Sequence, residues 1–191
     1  MKKLFTIILL AFAISFSHAQ ESKAYLGIGA GYAMPGGDVG DELASGIDLQ
    51  FVNFGYRFSE TWGLTVNLTS SGHVYEDYED DSVGVGVLSA GPMISFPVGK
   101  MTWDVKPQYV ISMAGKTSTD SGIDDATWKG SGFVLANSLV FGEGKGFAWS
   151  VNLDYLSGKF TEVEYDGETW DVEEDNDFSK FSVGVGVRYN F

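Results

Sequence analysis

Ten polar side chains stand at alternate positions in runs that are otherwise apolar: Asp48 and Gln50; Thr65 and Asn67; Asp104, Lys106 and Gln108; Asn152 and Asp154; and Arg188. Residues two apart on an extended chain share a face, so each run presents its polar groups on one side and its apolar groups on the other. Carboxylates, amides and cations brought onto facing strands in this way can fill an interior as a hydrogen-bonded network, or they can line a path for ions. An unpaired charge on such a face is costly. Lys106 and Arg188 are therefore expected to pair with some of Asp48, Asp104 and Asp154.

Two further groupings carry chemistry. In "DVEEDND", Asp171, Glu173, Asp175 and Asp177 place oxygen ligands at alternate positions, which suits Ca²⁺ or Mg²⁺. The run lacks the glycine and the distal glutamate of a calcium-binding EF-hand loop, so it is a weak metal candidate. His73 stands near Ser70, Ser71 and Glu76, and a serine and a histidine two apart share a face, the minimal geometry of an activated nucleophile. Nothing else in the chain resembles an oxyanion hole, so a non-enzymatic protein is expected, with no cofactor.

Eight strand-like segments must position these groups, at roughly 22–34, 46–58, 62–71, 82–97, 100–114, 130–142, 146–160 and 178–191. No sustained helical period occurs among them. Alternation changes phase near Phe51 and Val52 and again near Val87 and Leu88, where a bulge can shift the register; residues 133–141 alternate too poorly to assign a face. Tight turns alternate strictly with long polar stretches. Before and after the tight turns come Phe58 and Trp62, Phe96 and Trp103, Phe141 and Trp149, and the chain ends on Tyr189 and Phe191. Amphipathic aromatics gathered at one level form the girdle expected where lipid headgroups meet a protein wall.

The chain opens with Lys2, Lys3, a 13-residue apolar run and the small residues Ser17 and Ala19. That is the pattern of a secretory signal peptide at 1–19, cut after Ala19, and is too short for a spanning helix of about 20 residues. Residues 20–191 then form one domain. Losing the leader removes two of the 12 basic residues and none of the 26 acidic ones, so the net charge of −14 becomes −16. Such a balance argues against nucleic acid as a partner. The absence of cysteine excludes disulfides and thiolate metal sites.

Taken together, these residues resemble the outer-membrane β-barrel family of Gram-negative cell envelopes, in its small eight-stranded, porin-family form similar to OmpX and the transmembrane part of OmpA. The fold implied is all-β: an eight-stranded antiparallel up-and-down transmembrane barrel with short periplasmic turns and long acidic extracellular loops. The resemblance implies the bacterial outer membrane as location and its lipids and lipopolysaccharide as neighbours. It also implies that the final strand, "FSVGVGVRYNF", is the signal read by the barrel assembly machinery. The chain stops at Phe191 with no peptidoglycan-binding domain behind it, so tethering to the cell wall is not implied.

A barrel of eight strands has room inside only for side chains. Asp48, Asp104, Lys106, Asp154 and Arg188 are then expected to form a luminal charge network, with inward Gly27, Gly29, Gly31, Gly84, Gly86, Gly184 and Gly186 making room for long side chains. The four long loops hold 20 of the 26 acidic residues, so charge is concentrated on one rim. There it can act in solubility and surface contact, or bridge to lipopolysaccharide phosphates through divalent cations. "TEVEYDGETWDV" carries Asp-Gly between alternating residues and predicts a projecting hairpin pairing Val163 with Trp170. A structural or adhesion-like surface role is the expected function, and a narrow porin-like channel for ions or small solutes is the alternative; the ligand is not identified by the sequence.

Overall fold

A computed structural model of the chain describes residues 23–76, 81–118, 126–142, 144–165, 167–172 and 176–191. The expected leader lies outside these residues, as do Glu173 and Asp175 of the acidic run. The strands are β1 (Ala24–Gly36), β2 (Gly46–Arg57), β3 (Trp62–Val74), β4 (Ser82–Val98), β5 (Met101–Ser118), β6 (Thr127–Phe141), β7 (Gly146–Tyr165), β8 (Glu168–Asp171) and β9 (Asp177–Asn190), with one helical turn, α1 (Gly37–Gly40). β1 to β7 pair in sequence and β7 also pairs with β9. β9 closes on β1 from Tyr25 opposite Asn190 to Gly36 opposite Ser179. The result is an antiparallel barrel of eight strands, with β8 outside the ring as a hairpin partner of β7.

The period of two now has a three-dimensional meaning. Leu64, Val66 and Leu68, Val151, Leu153 and Tyr155, and Val183 and Val185 all face out and are exposed. Their neighbours Thr65, Asn67, Asn152 and Ser182 are buried inside. A continuous apolar wall of this kind suits hydrocarbon rather than water, and a closed ring leaves no strand edge unsatisfied there. No helix among the described residues is long and apolar enough to cross a membrane; the outward apolar surface is built from strands.

The phase change in β2 is a bulge. Gln50 pairs with Thr69 and Val52 with Leu68, so Phe51 is extra, and the inward parity passes from Asp48 and Gln50 to Asn53. The expected phase change in β4 does not occur: Val83, Val85, Val87 and Ser89 are all buried, and the irregularity lies across the pair, where β5 bulges at Ile111 and Ser112. Gly84 and Gly86 therefore face outward, a correction to the inward set. The cause is that the lumen itself turns from polar to apolar along its length, so apolar residues mark the inner face of β4 near the loops. The unassigned stretch of β6 turns Val134, Ala136, Ser138 and Val140 inward.

Gly31 and Gly184 face each other across the closing seam. A Cβ on Gly31 meets the Val183 carbonyl oxygen and lies 2.8 Å from Gly184 Cα, whereas one on Gly84 meets open space. Gly31→Val is expected to destabilise the refolded barrel by roughly 1–3 kcal/mol. Gly84→Ala is expected to change it by no more than about 0.5 kcal/mol. Urea unfolding in lipid vesicles measures both.

Candidate functional site: the lumen and the loop end

All five expected luminal charges point into the barrel. Asp104 on β5 is fully buried and is held by two guanidiniums. Arg188 on β9 donates to its Oδ2 at 2.7 Å, and Arg57 at the end of β2 donates to Oδ1 and Oδ2 at 2.9 and 3.1 Å. Ser95 Oγ donates to Oδ1 at 2.6 Å and accepts from Arg57 Nε at 3.0 Å. The Arg188 guanidinium also lies 4.2 Å over the Tyr25 ring, a cation–π contact inside the wall. A carboxylate with this many charge-assisted donors offsets much of the cost of its burial.

Nearer the loops the pairing differs from expectation. Asp48 is bridged by Lys180. Lys106 donates to Ser138 Oγ at 2.7 Å rather than directly to a carboxylate. Asp154 accepts from the Asn137 backbone N–H at 3.2 Å and lies in the field of Lys106 and Lys180. Asn67 and Ser89 both donate to Gln108 Oε1. Beyond this layer, Val83, Val85 and Val87, Met113, Phe160, Phe178 and Leu43 form an apolar plug at the loop end.

Arg57 and Lys180 are the luminal cations that sequence reasoning missed. Both carried a signal. Once the bulge at Phe51 shifts parity, Arg57 follows Asn53 and Gly55 inward, and Lys180 lies eight positions before Arg188 on one strand, hence on the same face. The projection stopped short of both because each sits beside a loop or turn.

The lumen is filled. The voids beside Asp48, Asn67, Asp154 and Lys180, and beside Gln50 and Asn152, measure about 20 and 10 Å³, the scale of single water molecules. Larger spaces include about 610 Å³ at the turn end, beside Arg57 and Ser95, about 470 Å³ under the loops, and about 580 Å³ beside Gly132, Gly158 and Lys159.

His73 and Ser71 share the inward face and are both buried, but no hydrogen bond joins them. The His73 Nδ1 lies 3.1 Å from the Ala44 carbonyl oxygen instead. Phe58, Trp62, Phe96, Trp103, Phe141, Trp149, Tyr189 and Phe191 are all exposed at the turn end. Phe96 faces Trp103, and Phe141 faces Trp149, across adjacent strands. Of the acidic run, Asp171 lies opposite Glu162 and Asp177 lies 3.5 Å from Lys159. Among the described residues, no three acidic or histidine side chains converge as a metal site.

The closed eight-stranded ring, apolar outside and polar within, is the fold of the small outer-membrane β-barrels. The chain is similar to the crystal structure of Neisserial surface protein A, with a TM-score of 0.62 and 15% identity over 91% of this chain and all of that one. It is also similar to Ail, the attachment invasion locus protein of Yersinia pestis, in complex with the heparin analogue sucrose octasulfate; the TM-score is 0.52, with 16% identity over 89% of this chain and all of that one. The N-terminal β-barrel domain of Pseudomonas aeruginosa OprF matches with a TM-score of 0.50 and 11% identity over 90% of this chain and all of that one. No protein-family profile and no curated protein sequence matches the chain.

Asp104→Ala leaves Arg57 and Arg188 confronting each other in the wall. It is expected to lower the unfolding free energy by roughly 3–5 kcal/mol. Glu60→Ala, on the neighbouring turn, should change it by less than about 0.5 kcal/mol. Denaturant titration of the refolded variants checks the difference.

Proposed function

We propose that this chain is a non-enzymatic integral protein of the bacterial outer membrane, exported by its leader, whose task is carried out at the loop end rather than through the lumen. The observation that carries the reading is the filling of the barrel: a polar network held by ion pairs below, an apolar plug above and voids of only about 20 and 10 Å³ between them. The fold supports the location. The exposed aromatics at the turn end support a role as a headgroup-level girdle, and the alternating last strand supports recognition by the barrel assembly machinery.

What the loop end presents is a sheet that continues beyond the ring. β6 remains paired to β7 as far as Thr127 opposite Glu164, and β8 continues the sheet with Val163 opposite Trp170. All four residues of β8 are exposed. An exposed strand can extend a sheet into a partner, which supports a structural or adhesion-like contact role. The 20 acidic loop residues favour a basic surface partner. They oppose transfer of the polyanion found with Ail, a heparin analogue. Contact with lipopolysaccharide, directly or through divalent cations, belongs to the same reading.

The alternative, a narrow channel, is separated from this reading by conductance. In planar bilayers the refolded chain is expected to be silent, and Arg188→Ala, which removes one of the two guanidiniums on Asp104, is expected to introduce ion steps. Stable steps from the unaltered chain that change with Lys106→Ala would instead support the channel.

A further inference from the structure

The mouth of the barrel at the loop end holds a pocket of about 470 Å³, within the range that takes small ligands. Its floor is apolar: Val83, Val85 and Leu43 are 6%, 1% and 4% exposed. One wall is aromatic. Trp128 stands edge-on to Phe160 with ring centroids 6.5 Å apart, and Phe160 packs on Phe178 at 5.8 Å. The segment between β1 and β2 forms another wall, on which Asp38 and Glu42 are exposed, and Tyr75 also lines the space.

This wall is tied down rather than free. Leu43 bridges to Tyr75, the Glu76 N–H donates to the Glu42 carbonyl at 3.1 Å, and the Ala44 N–H donates to the Val74 carbonyl at 2.8 Å. Among the described residues that line the pocket there is no lysine or arginine. Burial first, and then the nearby charges of Glu42 and Asp81, push the Tyr75 phenol above its ordinary range.

Ligand classes differ in how they meet these features. An anion is repelled by Asp38 and Glu42. A neutral hydrocarbon fits the floor but gains nothing from the carboxylates. A hydrated metal ion seeks oxygen ligands and finds an aromatic wall. A cation carried on an apolar body satisfies every surface at once, because an ammonium or guanidinium is attracted both to carboxylates and to aromatic faces while its body covers the floor.

We propose that this pocket binds a cationic amphiphile, an ammonium or guanidinium group on an aromatic or short aliphatic body, with the cation between Glu42, Asp38 and Trp128 and the apolar part on Val83, Val85 and Leu43. This goes beyond a contact surface on the outer loops, since it names a pocket at the barrel mouth and a ligand class. It holds whichever side of the membrane the mouth faces.

Calorimetric titration of the full mature chain, refolded in neutral maltoside micelles, tests it with benzyltrimethylammonium as probe and benzyl alcohol and benzoate as neutral and anionic counterparts. The expected result is one site per chain with Kd of about 1 mM or tighter, at least about tenfold tighter than for benzyl alcohol, with no measurable benzoate binding. Glu42→Gln and Trp128→Leu should each weaken the probe about fivefold or more, while Glu164→Gln, an acidic residue outside the pocket, should leave it unchanged. Heat-modified mobility on a gel verifies that each variant is folded. Equal affinity for the cationic and neutral probes, equal effects of Glu42→Gln and Glu164→Gln, or no saturable binding would overturn the proposal. Conductance does not enter into any of these readings, so failure here is distinguishable from failure of the surface-contact function.

Discussion

The hydrogen-bonded seam between β1 and β9 is the constraint from which the rest follows. A strand placed in hydrocarbon has no water to satisfy its N–H and C=O groups, so a sheet there must close on itself. Closure with eight strands leaves an interior only wide enough for side chains, and along this seam it brings Gly31 against Gly184 because no larger residue fits between the backbones. The contents of the lumen are thus not optional. Whatever alternates with the apolar outer wall must pack inside and find partners there.

The chain meets that demand with two layers of different chemistry. Toward the turns, Asp104 is neutralised by Arg57 and Arg188. In the middle, Asp48 meets Lys180 while Lys106 and Asp154 are held by hydrogen bonds to β6. Toward the loops the filling becomes valine, methionine and phenylalanine. The buried carboxylates are matched by cations, and those of the loops greatly outnumber the lysines among them. Matched charge holds a wall together, while unmatched charge acts on what approaches it.

The change of layer also explains where sequence reasoning succeeded and where it erred. On β3, β5 and β7 the face pointing into the polar layer is polar, so Thr65, Asn67, Asp104, Lys106, Gln108, Asn152 and Asp154 could be assigned from alternation alone. On β4 the inner face is apolar, and Val83, Val85 and Val87 look like lipid-facing residues while the outward Gly84 and Gly86 look like luminal space. Period two says that two faces differ; it does not say which is inside when both environments are apolar. Arg57 and Lys180 illustrate a second limit, since their direction depends on bulges and strand ends that shift parity by one residue.

Strand number, antiparallel order, the alternation of tight turns with long acidic loops, and the apolar outer wall are therefore determined by the sequence itself, because each is a local consequence of side-chain period and turn chemistry. Pairing partners inside the barrel are not local. Which cation reaches Asp104, which lysine meets Asp48, and how Leu43, Tyr75 and Trp128 converge at the mouth depend on register between strands distant in the chain. Only the closed tertiary structure decided these, because closure sets which side chains share a level of the lumen.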